Sequence, residues 1–312
     1  MLSYIVWNVS PEIMPLGPLS LRWYGLLFAS AFIVGYWLSV RFFKLRERYG
    51  EKFVDQWLMY GILGTVIGAR LGHVLFYDFS YYMQHPLEIV AVWKGGLASH
   101  GAAVGLIISI FLFSRKYKVS YLMMMDILVI IGASAGFFIR TGNLMNSEIY
   151  GHATNSQYGF VYVHDVVESI KNDGLVNRVS FERNDCDSMI NNQYVPINMT
   201  LYFERGMSDT NVIRQYTGRL AKTLLAENPE KEIITSGRPA RIKGPEPGKR
   251  FFQAVVPVLG IPKHPTHIYE ALFCLILFVF LMYFYFSRKE KLRNGDILAL
   301  FFILLFTFRL LV

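Results

Sequence analysis

The chain has 312 residues, 53% of them hydrophobic, 16% aromatic and only 17% charged, with a mean hydropathy of +0.33. A soluble domain of this size carries about a quarter charged residues, so the composition points to a bilayer and away from an ordinary water-facing fold. Outside the central segment most basic residues sit in short tracts between apolar runs, not in a basic stripe interleaved with aromatics, so the net charge of +8 argues against a nucleic-acid partner and for contact with anionic membrane lipids.

Six apolar segments follow one another at roughly 18–40, 56–77, 97–113, 122–139, 266–286 and 296–312. At about 1.5 Å per residue each can cross most of a hydrocarbon core as a helix. The first lacks a basic leader and is followed by Arg41, Lys44, Arg46, Arg48 and Lys52, so it reads as a retained span, not a cleaved signal. Further basic tracts stand at Arg115, Lys116 and Lys118 and at Arg288, Lys289, Lys291 and Arg293. They fall at every second connection, which puts them in the cytoplasm and puts the N-terminus and the stretch 141–265 outside.

The expected fold is therefore an all-α polytopic membrane protein: a bundle of six transmembrane helices with a mixed extracytoplasmic head. Its divisions are 1–140 (four spans), 141–265 (head) and 266–312 (last spans). Within the head, Tyr194–Tyr202 alternates like a strand and Asp209–Leu225 has a helical pattern. The chain stops inside its sixth apolar run, at Leu310-Leu311-Val312. A terminal carboxylate at membrane depth is costly, so further residues are expected beyond 312.

Ionisable residues inside or bordering spans are functional candidates, because hydrocarbon penalises them. Arg70, His100, Asp126, Arg140, Glu270 and Arg309 all qualify. The densest group is Arg140-Thr-Gly-Asn143-Leu-Met-Asn146-Ser-Glu148-Ile-Tyr150-Gly151. One helical turn separates Asn143 from Asn146, so their amides share a face. Arg140 offers a fork of donors suited to phosphate, Glu148 can orient it, and Gly142 allows close approach of a ligand. Spacing alone reads equally as a polar helix end at an interface.

His100, flanked by Gly95, Gly96 and Gly101, can accept a proton near neutral pH; it can also be an ordinary hydrogen-bonded histidine. His264-Pro265-Thr266-His267-Ile268-Tyr269-Glu270 suits a helix start, with Thr266 and Glu270 as capping groups. Gly61, Gly64, Gly68 and Gly72, with Gly101, Gly105, Gly132 and Gly136, form small-residue faces for close helix contact. Gly132-Ala-Ser134-Ala-Gly136 has the G-x-S-x-G spacing but lies inside a span, with no strand to form a nucleophile elbow. Cys186 and Cys274 support neither a disulfide framework nor a metal site, and no metal or organic cofactor is implied.

Leu21-Arg22-Trp23-Tyr24-Gly25, Gly68-Ala69-Arg70-Leu71-Gly72, Ser99-His100-Gly101, the Arg140–Gly151 block, His264-Pro265 through Tyr269-Glu270, and Phe308-Arg309 resemble, in order, the signature stretches of the phosphatidylglycerol:prolipoprotein diacylglyceryl transferases. The resemblance implies a multi-pass enzyme of the bacterial inner membrane. It would move diacylglyceryl from phosphatidylglycerol to the lipobox cysteine of a prolipoprotein signal peptide. Carried over by position, it implies catalytic roles for His100, Arg140 and Arg309. Tyr24, Arg70, Asn143, Asn146, Glu148, Gly151 and Glu270 would contact substrate, and Asp126 also matches.

Where the family often has a tyrosine four residues before its last arginine, Leu305 stands here, and Cys274 replaces a family glutamate. The segment from about Tyr158 to Ile261 carries no recognisable stretch. Two rival readings stay open: a transporter, whose expected inverted repeats are not evident, and a binding protein acting through its head.

Overall fold

The structure, a computed structural model, describes residues 3–16, 19–46, 49–156, 158–184, 189, 193–204, 207, 209–223, 232–244, 252–288 and 291–311. Arg48, Cys186, Leu225, Lys289 and Val312 lie outside the described residues. Three short strands open the chain, β1 (Ser3–Trp7), β2 (Glu12–Leu16) and β3 (Leu19–Arg22). Helices α1 (Trp23–Arg46), α2 (Glu51–Phe76), α3 (Phe79–Gln84), α4 (Ser99–Tyr117) and α5 (Tyr121–Met145) follow, with 3-10 turns at Pro86–Val90 and Val92–Lys94. Next come β4 (Tyr158–Tyr162), α6 (His164–Asn172), β5 (Val176–Arg183), β6 (Val195–Phe203) and α7 (Thr210–Lys222). The chain continues through β7 (Ile233–Thr235), β8 (Arg241–Lys243) and β9 (Gln253–Gly260) into α8 (Thr266–Ser287) and α9 (Asp296–Leu311).

All six expected apolar segments contain helices. Four helical stretches are long and apolar enough to cross a membrane: Trp23–Lys44, Glu51–Phe76, Tyr121–Met145 and Thr266–Ser287. Of the other two, α9 has 16 residues, and α4 carries Arg115 and Lys116 in its last turn. The class is mixed, not all-α, because nine strands accompany the helices among the described residues.

Contacts divide the chain into two compact units, one of Met1–Leu26 with Arg140–Tyr269 and one of Leu27–Ile139 with Glu270–Val312. The first 26 residues thus group with the central segment, not with the first four spans. In this mixed unit β5, β6, β9 and β7 form one antiparallel sheet in that order, with β8 also on β9. Alternation along β6 puts Val195, Ile197, Met199, Leu201 and Phe203, all fully buried, on one face. Ile213, Tyr216 and Leu220 of α7 join that core at helical spacing. Asp209 caps α7, its carboxylate accepting the Asn211 N–H at 2.8 Å, so the helix begins one residue after the expected start.

In the helical unit the small-residue faces of α2 and α4 meet. A Cβ at Gly68 would fall 2.4 Å from the Gly101 carbonyl oxygen, and one at Gly105 would fall 2.1 Å from that of Gly64. Only glycine permits this approach. Gly136 packs against the Cys274 side chain, its Cβ position 2.8 Å from Sγ, whereas Gly132 faces open space. Asp126, buried to 1% exposure, accepts the backbone N–H groups of Gly295 and Leu298 at 2.7 and 2.8 Å. It caps α9 from another helix, a structural duty that accounts for a carboxylate at that depth.

Candidate active site

α5 runs six residues beyond the expected end at 139, so Arg140, Gly142 and Asn143 are helical and Asn146 follows one residue after the last turn. This puts the two asparagine amides on one face. Asn143 Nδ2 donates to Glu148 Oε1 at 2.9 Å, and Asn146 Nδ2 donates to the same oxygen at 3.3 Å. A carboxylate accepts only N–H here, which fixes how both amides are turned. Their oxygens, Asn143 Oδ1 and Asn146 Oδ1, are buried with no partner among the described residues, as is Ser147 Oγ. A buried acceptor without a donor costs about 1–3 kcal/mol. Three such atoms in one short stretch concentrate unmet hydrogen-bonding capacity there.

The stretch is also strained. Ser147 and Ile149 adopt φ of 54° and 57°, a left-handed conformation that is unfavourable for any side chain and most of all for a β-branched one. Neighbouring bonds enforce it. Glu148 N–H donates to the Asn143 carbonyl at 3.1 Å, and Thr266 Oγ1 donates to the Ile149 carbonyl at 3.1 Å. The next residues run beside the chain that leads into α8. Gly151 N–H bonds the His264 carbonyl at 2.9 Å, His264 N–H the His152 carbonyl at 3.0 Å, and Thr154 N–H the Pro262 carbonyl at 2.8 Å.

Two glycines follow from packing. A Cβ at Gly151 would lie 2.6 Å from Thr266 Cγ2, and one at Gly142 would lie 2.8 Å from the Tyr24 ring. The close approach expected at Gly142 is therefore made by Tyr24. The capping expectation for Thr266 also changes, since its hydroxyl serves Ile149.

Sequence spacing did not reveal the support behind the block. Glu232 Oε1 accepts Tyr150 Oη–H at 2.5 Å and Lys263 Nζ at 2.9 Å, and the Lys263 ammonium lies 4.4 Å from the Tyr150 ring centre. Burial, then the hydrogen bond to Glu232, push the Tyr150 phenol above its ordinary value. Tyr150 stacks on Tyr162, whose hydroxyl meets His267 Nε2 at 3.1 Å. His267 is fully buried, and its Nδ1 accepts the Ile268 N–H at 3.2 Å.

In the helical unit, Arg70 is 3% exposed and donates to the carbonyls of Glu88, Ile89, Gly95 and Gly96 at 2.6, 2.8, 2.6 and 3.1 Å. Those bonds occupy most of its donors, so its visible work is to hold the segment between α2 and α4. His100, exposed in the first turn of α4, contacts the rings of Phe76 and Tyr77, with centroids at 5.3 and 5.8 Å. Tyr77 stacks in turn on His73, whose Nε2 lies 3.1 Å from Asp78 Oδ2. Glu270 and Arg309 pair at 3.4 Å.

The sequence profile of the prolipoprotein diacylglyceryl transferases matches residues 11–312. The chain belongs to that family. Relatives bearing the name phosphatidylglycerol–prolipoprotein diacylglyceryl transferase include one from Tolumonas auensis, 44% identical over 159 residues, which are 51% of this chain and 61% of the relative. One from Chloroherpeton thalassium is 42% identical over 161 residues, covering 51% and 60%. One from Porphyromonas gingivalis is 40% identical over 163 residues, covering 52% and 57%. The chain thus spans about three fifths of the length of the relatives it matches.

Against this transferase family, the residues expected from sequence fall into two groups. The mixed unit holds Tyr24, Arg140, Asn143, Asn146, Glu148 and Gly151, and it joins the two asparagines through Glu148. The helical unit holds Arg70, His100, Glu270 and Arg309, and it pairs the last two.

Proposed function

We propose that this chain transfers the diacylglyceryl group of phosphatidylglycerol to the lipobox cysteine thiol of prolipoproteins. The observation that carries the reading is the Asn143–Asn146–Glu148 arrangement, with its buried unpaired acceptors, in a chain of this family. The glycerol headgroup of phosphatidylglycerol offers hydroxyl donors of the kind those acceptors lack.

In the proposed reaction the cysteine sulfur attacks the glyceryl carbon that bears the phosphate ester. A C–S bond forms, the C–O bond breaks, and glycerol phosphate leaves with the electron pair. A thiol of pKa about 8.5 needs a base or a positive field at neutral pH. We give the thiol proton to His100. Arg140 and Arg309 receive the charge of the leaving phosphate, which is worth most in a water-poor site. Asn143, Asn146 and Glu148 orient the headgroup. Tyr24, Gly151 and Glu270 shape the substrate site. Arg70 was expected to contact substrate, and its four carbonyl bonds favour a positioning role.

The same reading includes six spans, with α4 and α9 completing the four longer helices, in a bacterial inner membrane. The N-terminus and the central segment lie outside, opposite the basic tracts.

The test is transfer from phosphatidylglycerol vesicles to a lipobox peptide, comparing wild type with Arg140→Ala. Thioether product from wild type, lost in an Arg140→Ala protein that still inserts and folds, is the expected result. Well-folded wild type that modifies none of several acceptor peptides would overturn the reading.

A further inference from the structure

The segment 77–98, between α2 and α4, buries Tyr82, Ala91 and Ala98 but turns several large apolar side chains outward. Leu87 is 88% exposed, Trp93 78% and Val90 72%, and Phe76 at the end of α2 is 74% exposed. Apolar area left open to water is unfavourable. Its charged side chains, by contrast, pair among themselves or with α2. Glu88 meets Lys94 at 2.8 Å and Tyr81 at 3.1 Å, and Asp78 meets His73 at 3.1 Å.

The backbone points the same way. Four carbonyls of this irregular stretch are bonded by the one guanidinium of Arg70, which also lies 4.9 Å from the Tyr82 ring centre. Loop carbonyls in water are hydrated and need no such partner. Irregular backbone entering a bilayer must have its polar groups satisfied by protein. Gly95 and Gly96, at φ of 86° and 71°, let the chain fold onto that guanidinium. A Cβ at Gly96 would lie 2.6 Å from the His73 ring and 3.0 Å from Arg70 Nη1.

We propose that segment 77–98 is an interfacial anchor whose partner is the lipid surface. Leu87, Val90 and Trp93 enter the boundary between headgroups and acyl chains, and Arg70 bonds the carbonyls that go in with them. Lipid is the occupant because the segment continues directly from α2, a helix long and apolar enough to cross a membrane. Tyr77 and Trp93 are also of the residue types enriched at membrane interfaces. This inference is independent of the transferase reading and of any turnover measurement.

The experiment places nitroxide labels at Leu87→Cys, Val90→Cys and Trp93→Cys in a Cys186→Ser, Cys274→Ala background. The protein is reconstituted in phosphatidylcholine–phosphatidylglycerol vesicles. Accessibility to oxygen is compared with accessibility to a water-soluble nickel chelate. Ile67→Cys, on the exposed face of α2, supplies the lipid reference, and Gln215→Cys, exposed on the polar α7, supplies the water reference. Oxygen-to-nickel ratios several-fold above Gln215, approaching Ile67, are expected at all three positions. Ratios equal to that of Gln215 would overturn the anchor. In Arg70→Met the Val90 ratio is expected to fall toward the water reference while Ile67 stays unchanged; an unchanged Val90 ratio would remove Arg70 from its role.

Discussion

Arg309 of α9 pairs with Glu270 of α8, Nη1 to Oε1 at 3.4 Å, with the glutamate mostly buried and the arginine more than half exposed. Phe273 and Phe308 stack beside them in sequence, ring centres 3.9 Å apart and nearly parallel. An arginine on so apolar a helix is expensive in lipid unless a counter-charge shares it. One carboxylate contact does not exhaust five N–H donors, so Arg309 retains capacity for a phosphate. Arg309→Lys keeps the charge and loses the fork. Under the transferase reading its turnover falls about tenfold or more, from loss of a charged hydrogen bond worth roughly 1.5–3 kcal/mol. Initial rates of lipobox-peptide modification measure it, and full activity in Arg309→Lys would take the guanidinium away from the leaving group.

Asn143 is 3% exposed and bonds Glu148 through its only donor group. Asn143→Asp replaces that donor with a second carboxylate facing the first. The pair then either repels or takes up a proton, and the variant loses roughly 1–3 kcal/mol of stability. The loss is expected to be larger at neutral than at mildly acidic pH, since a shared proton restores one hydrogen bond. Thermal unfolding in detergent at the two pH values checks this. Equal stability of Asn143→Asp and wild type at neutral pH would mean that the bond does not form.

Much of this architecture is legible along the chain because its causes are local. Apolar runs gave the helices, and period-two burial gave β6 within one residue of the expected strand. The one-turn spacing of Asn143 and Asn146 correctly put their amides on one face, because α5 supplies the turn. What spacing could not show depends on partners far apart in sequence. Glu232 is 82 residues from Tyr150, and Asp126 is 169 from the Gly295 N–H it accepts. Likewise Arg70, expected from sequence to contact substrate, bonds four carbonyls that no motif announces.

The α2–α4 contact predicts a graded response to adding one methyl group. At Gly105 the new Cβ meets backbone 2.1 Å away, which no rotamer can relieve, whereas Gly132 in α5 has nothing within 4 Å. Gly105→Ala is therefore expected to destabilise by about 1–3 kcal/mol or more through overpacking. Gly132→Ala is expected to be neutral or to stabilise by up to about 1 kcal/mol, from helix propensity. Unfolding midpoints of the two variants against wild type decide it. Similar midpoints would show that the helices separate without penalty and that the glycine face is not what sets their distance.

Alkaline pH should loosen the mixed unit. Tyr150, Tyr162 and Tyr216 are all pushed up from 10.0, in each case first by burial. Tyr150 and Tyr216 are raised further by donating to Glu232 and Asp173. Each folded phenol keeps its proton at a pH where the unfolded chain has released it. The folded state thus binds more protons above about pH 10, and stability falls as pH rises there. Below about pH 10 the contribution is fully present. The expected record is a tyrosinate absorbance in native protein that lags the unfolded chain, with an unfolding midpoint that drops above about pH 10. Lysines titrate in the same range, so the informative comparison is Tyr216→Phe, which removes one raised phenol and the bond to Asp173. Its midpoint should start lower and then decline less steeply than wild type above about pH 10. Parallel declines would assign the alkaline loss to other groups.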